Sequence, residues 1–290
     1  MTPTQKRATL AKRIRDREFV TAPGIYDMIS TLIADQQNHP ALYMTGYGTV
    51  ASYLGLPDAG LASYSDMVLR AGHMAAGSNT PIIADADTGY GGLLNVQHTV
   101  RGYEAAGIAA IQIEDQEFPK KCGHTPGRRV IATTDMIEKI EVACAAREDP
   151  NFLLVARTDA RTALGLDAAI ERAKAYRAAG ADVIFVESPE SEKEFATIAA
   201  EVEGPLLANM VEGGRSPVLS RARLVELGFA MAIYPGTGFT AAAAALEQVY
   251  RCIHDTGSTA ELETPLYPVS EMHELMGFES VWDFEKKWAK

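Results

Sequence analysis

Cysteine is scarce in this chain. Of 290 residues only Cys122, Cys144 and Cys252 are cysteine, an odd and widely spaced set that gives no disulfide framework and suits a reducing compartment, read here as the cytoplasm. No apolar run approaches the roughly 18 residues a membrane span needs, so a membrane-spanning helix is not expected. Basic charge is in the minority: 27 Lys and Arg against 38 Asp and Glu give −11, the wrong sign for a nucleic-acid or anionic-membrane surface. The chain also lacks a Ser/Pro-rich linker or a shift in composition. Residues 1–290 are therefore expected to form one domain, a length that a closed α/β barrel routinely fills. At the start, Lys6, Arg7, Lys12, Arg13, Arg15 and Arg17 are interrupted by Asp16 and Glu18, with no apolar core as in a signal peptide. That stretch reads as an amphipathic helix.

What the chain does have is a repeat. Eight short apolar runs end in polar or acidic residues, and a helix-like spacer follows each: Phe19–Ala22, Leu42–Thr45, Ile82–Asp85, Ala109–Glu114, Phe152–Arg157, Val183–Glu187, Leu206–Asn209 and Met231–Tyr234. Continuous apolar runs between helices are what parallel strands buried on both faces look like. Gly107, Gly180 and Gly228 stand shortly before such runs, where a left-handed cap would end the preceding helix. Eight alternations predict a (β/α)8 TIM barrel of the α/β class.

Active sites of this fold lie at the carboxyl ends of the strands. Those ends read Thr45, Asp85-Ala86-Asp87, Glu114-Asp115, Arg157-Thr158-Asp159, Glu187 and Asn209, an acidic ring with one arginine. Any one polar strand end can arise merely because a loop begins there. Six of eight is a pattern, and carboxylates converging on one mouth repel one another unless a cation such as Mg2+ or Mn2+ sits among them. After the fourth run comes a loop, Gln116 to Arg129, whose Lys120-Lys121-Cys122-Gly123-His124 sets a thiol among cations that would lower its pKa. Its Gly and Pro residues suit a segment that closes over a site. Cys144 and Cys252 lie beside alanines in helix-like stretches and are expected in the core.

These residues resemble the isocitrate lyase and phosphoenolpyruvate mutase superfamily. The similarity runs from Ala22-Pro23-Gly24-Ile25-Tyr26-Asp27 through Leu54-Gly55-Leu56-Pro57-Asp58, Ala84-Asp85-Ala86-Asp87-Thr88-Gly89-Tyr90-Gly91, Ile113-Glu114-Asp115-Gln116, the cysteine loop and Ala156-Arg157-Thr158-Asp159-Ala160 to Leu207-Ala208-Asn209-Met210. Lys-Lys-Cys-Gly-His marks the carbon–carbon lyase branch. The resemblance implies that Asp85 holds Mg2+ (or Mn2+) directly, with Asp87 and Glu114 acting through water. It implies a catalytic set of Cys122, Lys120, His124, Arg157 and Asp58, with Cys122 as the acid that protonates the departing carbanion. Thr45, Gly46, Tyr47, Gly123, Arg157, Glu187 and Asn209 would bind the substrate, a small di- or monocarboxylate. Tyr47 stands where many relatives carry a small residue. A last helix exchanged between subunits of a homotetramer is implied as well, with residues 240–290 as the extension that makes the swap.

Within the superfamily, methylisocitrate lyases use two arginines at positions that align here with Thr240 and Met272. Neither brings the positive charge that a third carboxylate needs. Asn209-Met210-Val211-Glu212-Gly213-Gly214 is closer to the dimethylmalate lyase branch. The expected activity is therefore cleavage of a substituted malate to pyruvate or another 2-oxo acid plus a monocarboxylate. Oxaloacetate hydrolase or decarboxylase, methylisocitrate lyase, carboxyphosphonoenolpyruvate mutase and a silent metabolite-binding barrel are the alternatives.

Overall fold

The computed structural model describes residues 1–123, 125 and 127–289. Eight strands, β1 (Val20–Ile25), β2 (Leu42–Met44), β3 (Ile82–Asp85), β4 (Ala110–Glu114), β5 (Leu153–Thr158), β6 (Val183–Val186), β7 (Leu206–Asn209) and β8 (Met231–Tyr234), pair in sequence order. Every pairing is parallel and β8 returns to β1, so the sheet closes into the expected barrel. β3, β7 and β8 have the predicted bounds. β1 runs three residues further than its apolar run, through Pro23 and Gly24, and its pairing with β8 continues to Pro23 opposite Tyr234. A Cβ on Gly24 would lie 2.6 Å from the Pro235 carbonyl oxygen, so only glycine allows that approach. Gly107, Gly180 and Gly228 take φ of +89°, +110° and +93° at the ends of their helices, in the left-handed region expected of such stops.

Side chains alternate along a strand, and here they sort into two apolar clusters. One joins Leu42, Ile82, Ile111, Leu154 and Ile184 to helix residues such as Met67, Val100, Ile140 and Phe195. The other holds Tyr43, Ile83, Ala110, Val155, Phe185 and Leu207, with Leu10, Ala11 and Ile14 of the first helix (Pro3–Arg15). The second cluster is the barrel interior. Continuing its period of two toward the carboxyl ends gives Thr45, Asp85, Gln112, Glu114, Arg157, Glu187 and Asn209. The polar ring therefore follows from strand geometry: these positions point inward where the barrel opens.

The first helix is amphipathic as expected, yet two of its basic residues are buried. Lys6 Nζ donates to the carbonyls of Ala75 (2.7 Å) and Ser78, and Arg7 Nε pairs with Asp149 at 2.7 Å. Beside β3, Asp35 accepts from Ser78 Oγ, the backbone N–H groups of Asn79 and Thr80, and Thr80 Oγ1, at 2.7–3.0 Å. Cys144 and Cys252 are only half-buried, not core residues. Cys144 lies on the exposed-edged helix Thr133–Ala146 and its thiol reaches the Gly180 carbonyl at 3.3 Å, a contact that holds it at a helix margin.

The chain divides into two compact units, Met1–Phe239 and Thr240–Lys290. The second contains most of the helix Thr237–Thr256, the helix Val269–Leu275 and the helix Phe278–Trp288. None of its described residues is buried, and Tyr250, Phe284 and Trp288 are each more than 60% exposed. No helix among the described residues is long and apolar enough to cross a membrane.

Candidate active site

β3 delivers Asp85 into the mouth, and the chain then turns so that Asp87, at φ +48°, faces the same space. Aspartate tolerates that left-handed conformation better than most residues. Asp85 Oδ1 accepts from the Asp87 N–H at 3.0 Å, which fixes the two carboxylates relative to each other. From β4 come Gln112, which accepts from Tyr43 OH at 2.8 Å, and Glu114, which is 1% exposed. Gly46 lies against the Asp85 carboxylate so closely that any side chain there would strike it.

Lys120 enters from the loop. Its ammonium group sits between Asp58 (2.5 Å) and Asp87 (2.9 Å) and is 3% exposed. Burial alone would lower the Lys120 pKa, but the carboxylates of Asp87 and Asp58 hold it well above the usual range. Its charge is thus taken up by the acidic cluster. Lys121 reaches the Gly127 carbonyl at 3.3 Å. Across the mouth, Arg157 from β5 makes a two-pronged pair with Asp159 at 2.9 Å, and approaches Glu114 and Glu187 at 3.4 Å each. Asn209 Nδ2 donates to Glu187 at 3.1 Å.

The cysteine loop lies over this ring. The Cys122 N–H donates to the Asp58 carbonyl at 3.1 Å, and Gln116 holds both backbone groups of Lys121 at 2.8 and 3.0 Å. A Cβ on Gly123 would fall 2.5 Å from Arg157 Nη2 and 3.0 Å from the Glu187 carboxylate. The loop backbone is therefore in contact with the charged side chains, and Cys122, adjacent to Gly123, stands at the mouth. His124 lies outside the described residues. Thr45 caps the helix Gly46–Leu54, and Tyr47, 43% exposed, meets Phe239 edge-on with ring centres 5.2 Å apart.

Six carboxylates (Asp58, Asp85, Asp87, Glu114, Asp159, Glu187) face three bases (Lys120, Arg128, Arg157) in this region. Burial pushes the Asp85 carboxyl up, Glu114 well up, and Asp87 up to about 6, because too little positive charge offsets it. Glu114 Oε1 and Asn209 Oδ1 are buried without a hydrogen-bond partner among the described residues. An oxygen-rich, electron-rich mouth with an orphaned carboxylate oxygen fits a hard divalent cation. Among the described residues no three His, Cys, Asp or Glu side chains cluster tightly enough to wrap a metal unaided. One direct carboxylate with water-mediated neighbours, the arrangement common for Mg2+, needs no such cage.

Several residues that shape the site carried no assigned role in the sequence. Gln112 was the clearest available signal: a polar residue inside an apolar strand must find a buried partner. Asp159 and Asp115 stood in the polar strand ends, but nothing local marked which arginine each would bind.

The whole-chain comparisons agree with this architecture. Residues 10–254 match the family model for phosphoenolpyruvate phosphomutase. The chain belongs to that family. It is 43% identical to a 2,3-dimethylmalate lyase of Eubacterium barkeri over 97% of this chain and 98% of the relative. It is 42% identical to a 2-methylisocitrate lyase of Aeropyrum pernix over 97% and 89%. Among solved structures, an oxaloacetate acetylhydrolase in complex with 3,3-difluorooxalacetate is similar with TM-score 0.93, 34% identity and coverage of 99% and 98%. A phosphonopyruvate hydrolase in complex with oxalate and Mg++ is similar with TM-score 0.89 and 30% identity, over the full length of both chains. This family member is therefore an enzyme of the phosphoenolpyruvate mutase and isocitrate lyase superfamily.

Proposed function

We propose that the protein is a Mg2+-dependent carbon–carbon lyase that cleaves a 2,3-dimethylmalate-like 2-hydroxy acid to pyruvate, or another 2-oxo acid, and a monocarboxylate. The observation that carries this reading is Gly123 packed against Arg157 and Glu187, which brings the adjacent Cys122 to the mouth of an acidic barrel. Asp85 would hold the cation, with Asp87 and Glu114 reaching it through water. Bound there, the cation would lower the pKa of the substrate's 2-hydroxyl group.

The chain's own residues supply the rest. Arg157, fixed by Asp159, faces the charge that develops at the 2-oxygen. The backbone of Thr45-Gly46-Tyr47 and the side chains of Glu187 and Asn209 orient the acid. As the alkoxide electron pair becomes the C2 carbonyl, the C2–C3 bond breaks and its pair stays on C3. The Cys122 thiol protonates that carbon, and the proton lost by the 2-hydroxyl group restores the thiol at the end of the cycle. Lys120 steadies Asp58 and Asp87, and the loop above excludes water. A location in the cytoplasm is part of the same reading, supported by three cysteines that no disulfide joins among the described residues.

The test is a panel of malate, 2-methyl- and 2,3-dimethylmalate, oxaloacetate and methylisocitrate with Mg2+, scored by oxo-acid release. Losing two charge-assisted contacts at Thr240 and Met272 predicts kcat/KM for an alkylated malate at least about 100-fold above that for methylisocitrate. Equal values would make the protein a methylisocitrate lyase. Release of oxalate from oxaloacetate as the fastest reaction would make it a hydrolase. Full turnover in excess EDTA would remove the metal from the mechanism.

A further inference from the structure

The loop after β4 has two buried anchors, of which Lys120 is only the first. At its base, Glu117 N–H donates to the Arg129 carbonyl and Ile131 N–H to the Asp115 carbonyl, each at 2.9 Å. Just inside that base is Arg128, whose side chain is fully buried. Its guanidinium donates to Asp159 Oδ1 at 2.5 Å and to Thr162 Oγ1 at 2.6 Å. Asp159 is itself fully buried and is the carboxylate that grips Arg157 with both oxygens. Oδ1 thus serves a loop arginine and an active-site arginine at once.

Asp159 does not sit loosely between them. Its backbone N–H donates to Asp115 Oδ1 at 2.9 Å. Asp115 Oδ2 in turn accepts from Thr158 Oγ1 (2.7 Å), Arg172 Nη1 (3.1 Å) and Tyr176 OH (2.7 Å), all buried. Asp159 is therefore pinned from below, and the plane of the Arg157 guanidinium is set from that fixed point. The other two carboxylates near Arg157, Glu114 and Glu187, stand further off at 3.4 Å.

We propose that Asp159 and Arg128 are a positioning pair: one buried carboxylate ties the far end of the cysteine loop to Arg157, so that seating the loop over the site and orienting the arginine are a single event. Neither residue touches substrate; both act through Cys122 and Arg157, and the inference rests on the roles given to those two residues above. Truncating Arg128 leaves Asp159 paired with Arg157, so no buried charge is stranded and the barrel is kept.

The experiment follows two readouts in Arg128→Met, Arg128→Lys and Asp159→Asn. The first is the rate at which iodoacetamide alkylates Cys122, resolved from Cys144 and Cys252 by peptide mass, with and without oxalate and Mg2+. The second is kcat and KM on the best substrate of the panel. In Arg128→Met, Cys122 should alkylate about 10-fold faster while Cys144 does not, and kcat should fall about 10- to 100-fold, the cost of slightly misplaced catalytic groups, with KM changed far less. Arg128→Lys should recover part of both effects. Asp159→Asn, which takes the charge from both arginines and turns one acceptor into a donor, should raise Cys122 alkylation at least as much as Arg128→Met. Unchanged Cys122 alkylation and kcat in Arg128→Met would overturn the proposal. Faster alkylation of Cys144 together with Cys122 would overturn it too, by showing a general loss of structure. The alkylation readout needs no substrate, so an error in the proposed substrate would appear in the panel and leave this result standing.

Discussion

At the mouth, Asp87 bears on stability and Cys122 on rate. Asp87 is buried with its carboxyl pushed up to about 6, so the folded protein holds that proton more tightly than the unfolded chain does. A raised carboxyl pKa makes folding less favourable as pH climbs from the ordinary carboxylate range to the raised value, and the loss is complete above it. In metal-free protein, Asp87→Asn should therefore raise stability on the order of 1–2 kcal/mol at pH 7–8, with the gain shrinking toward pH 4. Melting curves across that range check it, and the same variant should lose activity. Cys122 contributes in the other currency, rate. Cys122→Ala should leave circular dichroism and oxo-acid binding intact while cleavage falls about 10²- to 10⁴-fold, since only proton delivery to carbon is removed. Wild-type cleavage by that variant would show that the thiol is not the acid.

Among the elements, the strands were the most legible in the sequence, because burial on both faces leaves an unbroken apolar run and the barrel mouth turns the next inward position polar. Asp85, Glu114, Arg157, Glu187 and Asn209 were read that way. β1 was read short, since Pro23 and Gly24 look like breakers unless the Pro235 backbone that crowds Gly24 is known. The links between elements were not legible: which carboxylate meets Arg128, or that Lys120 lies between Asp58 and Asp87, depends on loops folding back over 30 or more residues. Asp35 is such a link. Burial works against its ionised form, yet hydrogen bonds from Thr80, Asn79 and Ser78 outweigh it and hold the carboxyl below its usual value. A depressed carboxyl pKa stabilises at neutral pH and ceases to do so as pH falls through the folded-state value. Asp35→Ala should lower stability by about 1 kcal/mol at pH 7, since the site is only part-buried and water can take over some of these donors. The difference in Tm from wild type should narrow as the solution is taken below the ordinary carboxylate range, and a constant difference would refute the electrostatic part of the argument.

At the scale of the whole molecule, the second unit stands out because helices ordinarily hide their apolar side chains and these do not. Met276, Phe278, Trp282, Phe284 and Trp288 are all more than 40% exposed. That surface supports the proposal of a homotetramer in which residues 240–290 are exchanged between subunits. Light scattering should then report four chains for the wild type, and the pair Trp282→Glu with Phe284→Glu should shift the mass toward smaller species and lower Tm. A wild-type monomer at micromolar concentration would exclude the assembly.

Gly123 has a bearing on how such an enzyme changes over generations. The part of the chamber nearest Arg157 and Glu187 is made of peptide, and no side chain can be added there without striking them. A change of substrate by substitution must then be written in side chains elsewhere, as at Tyr47, and not at Gly123.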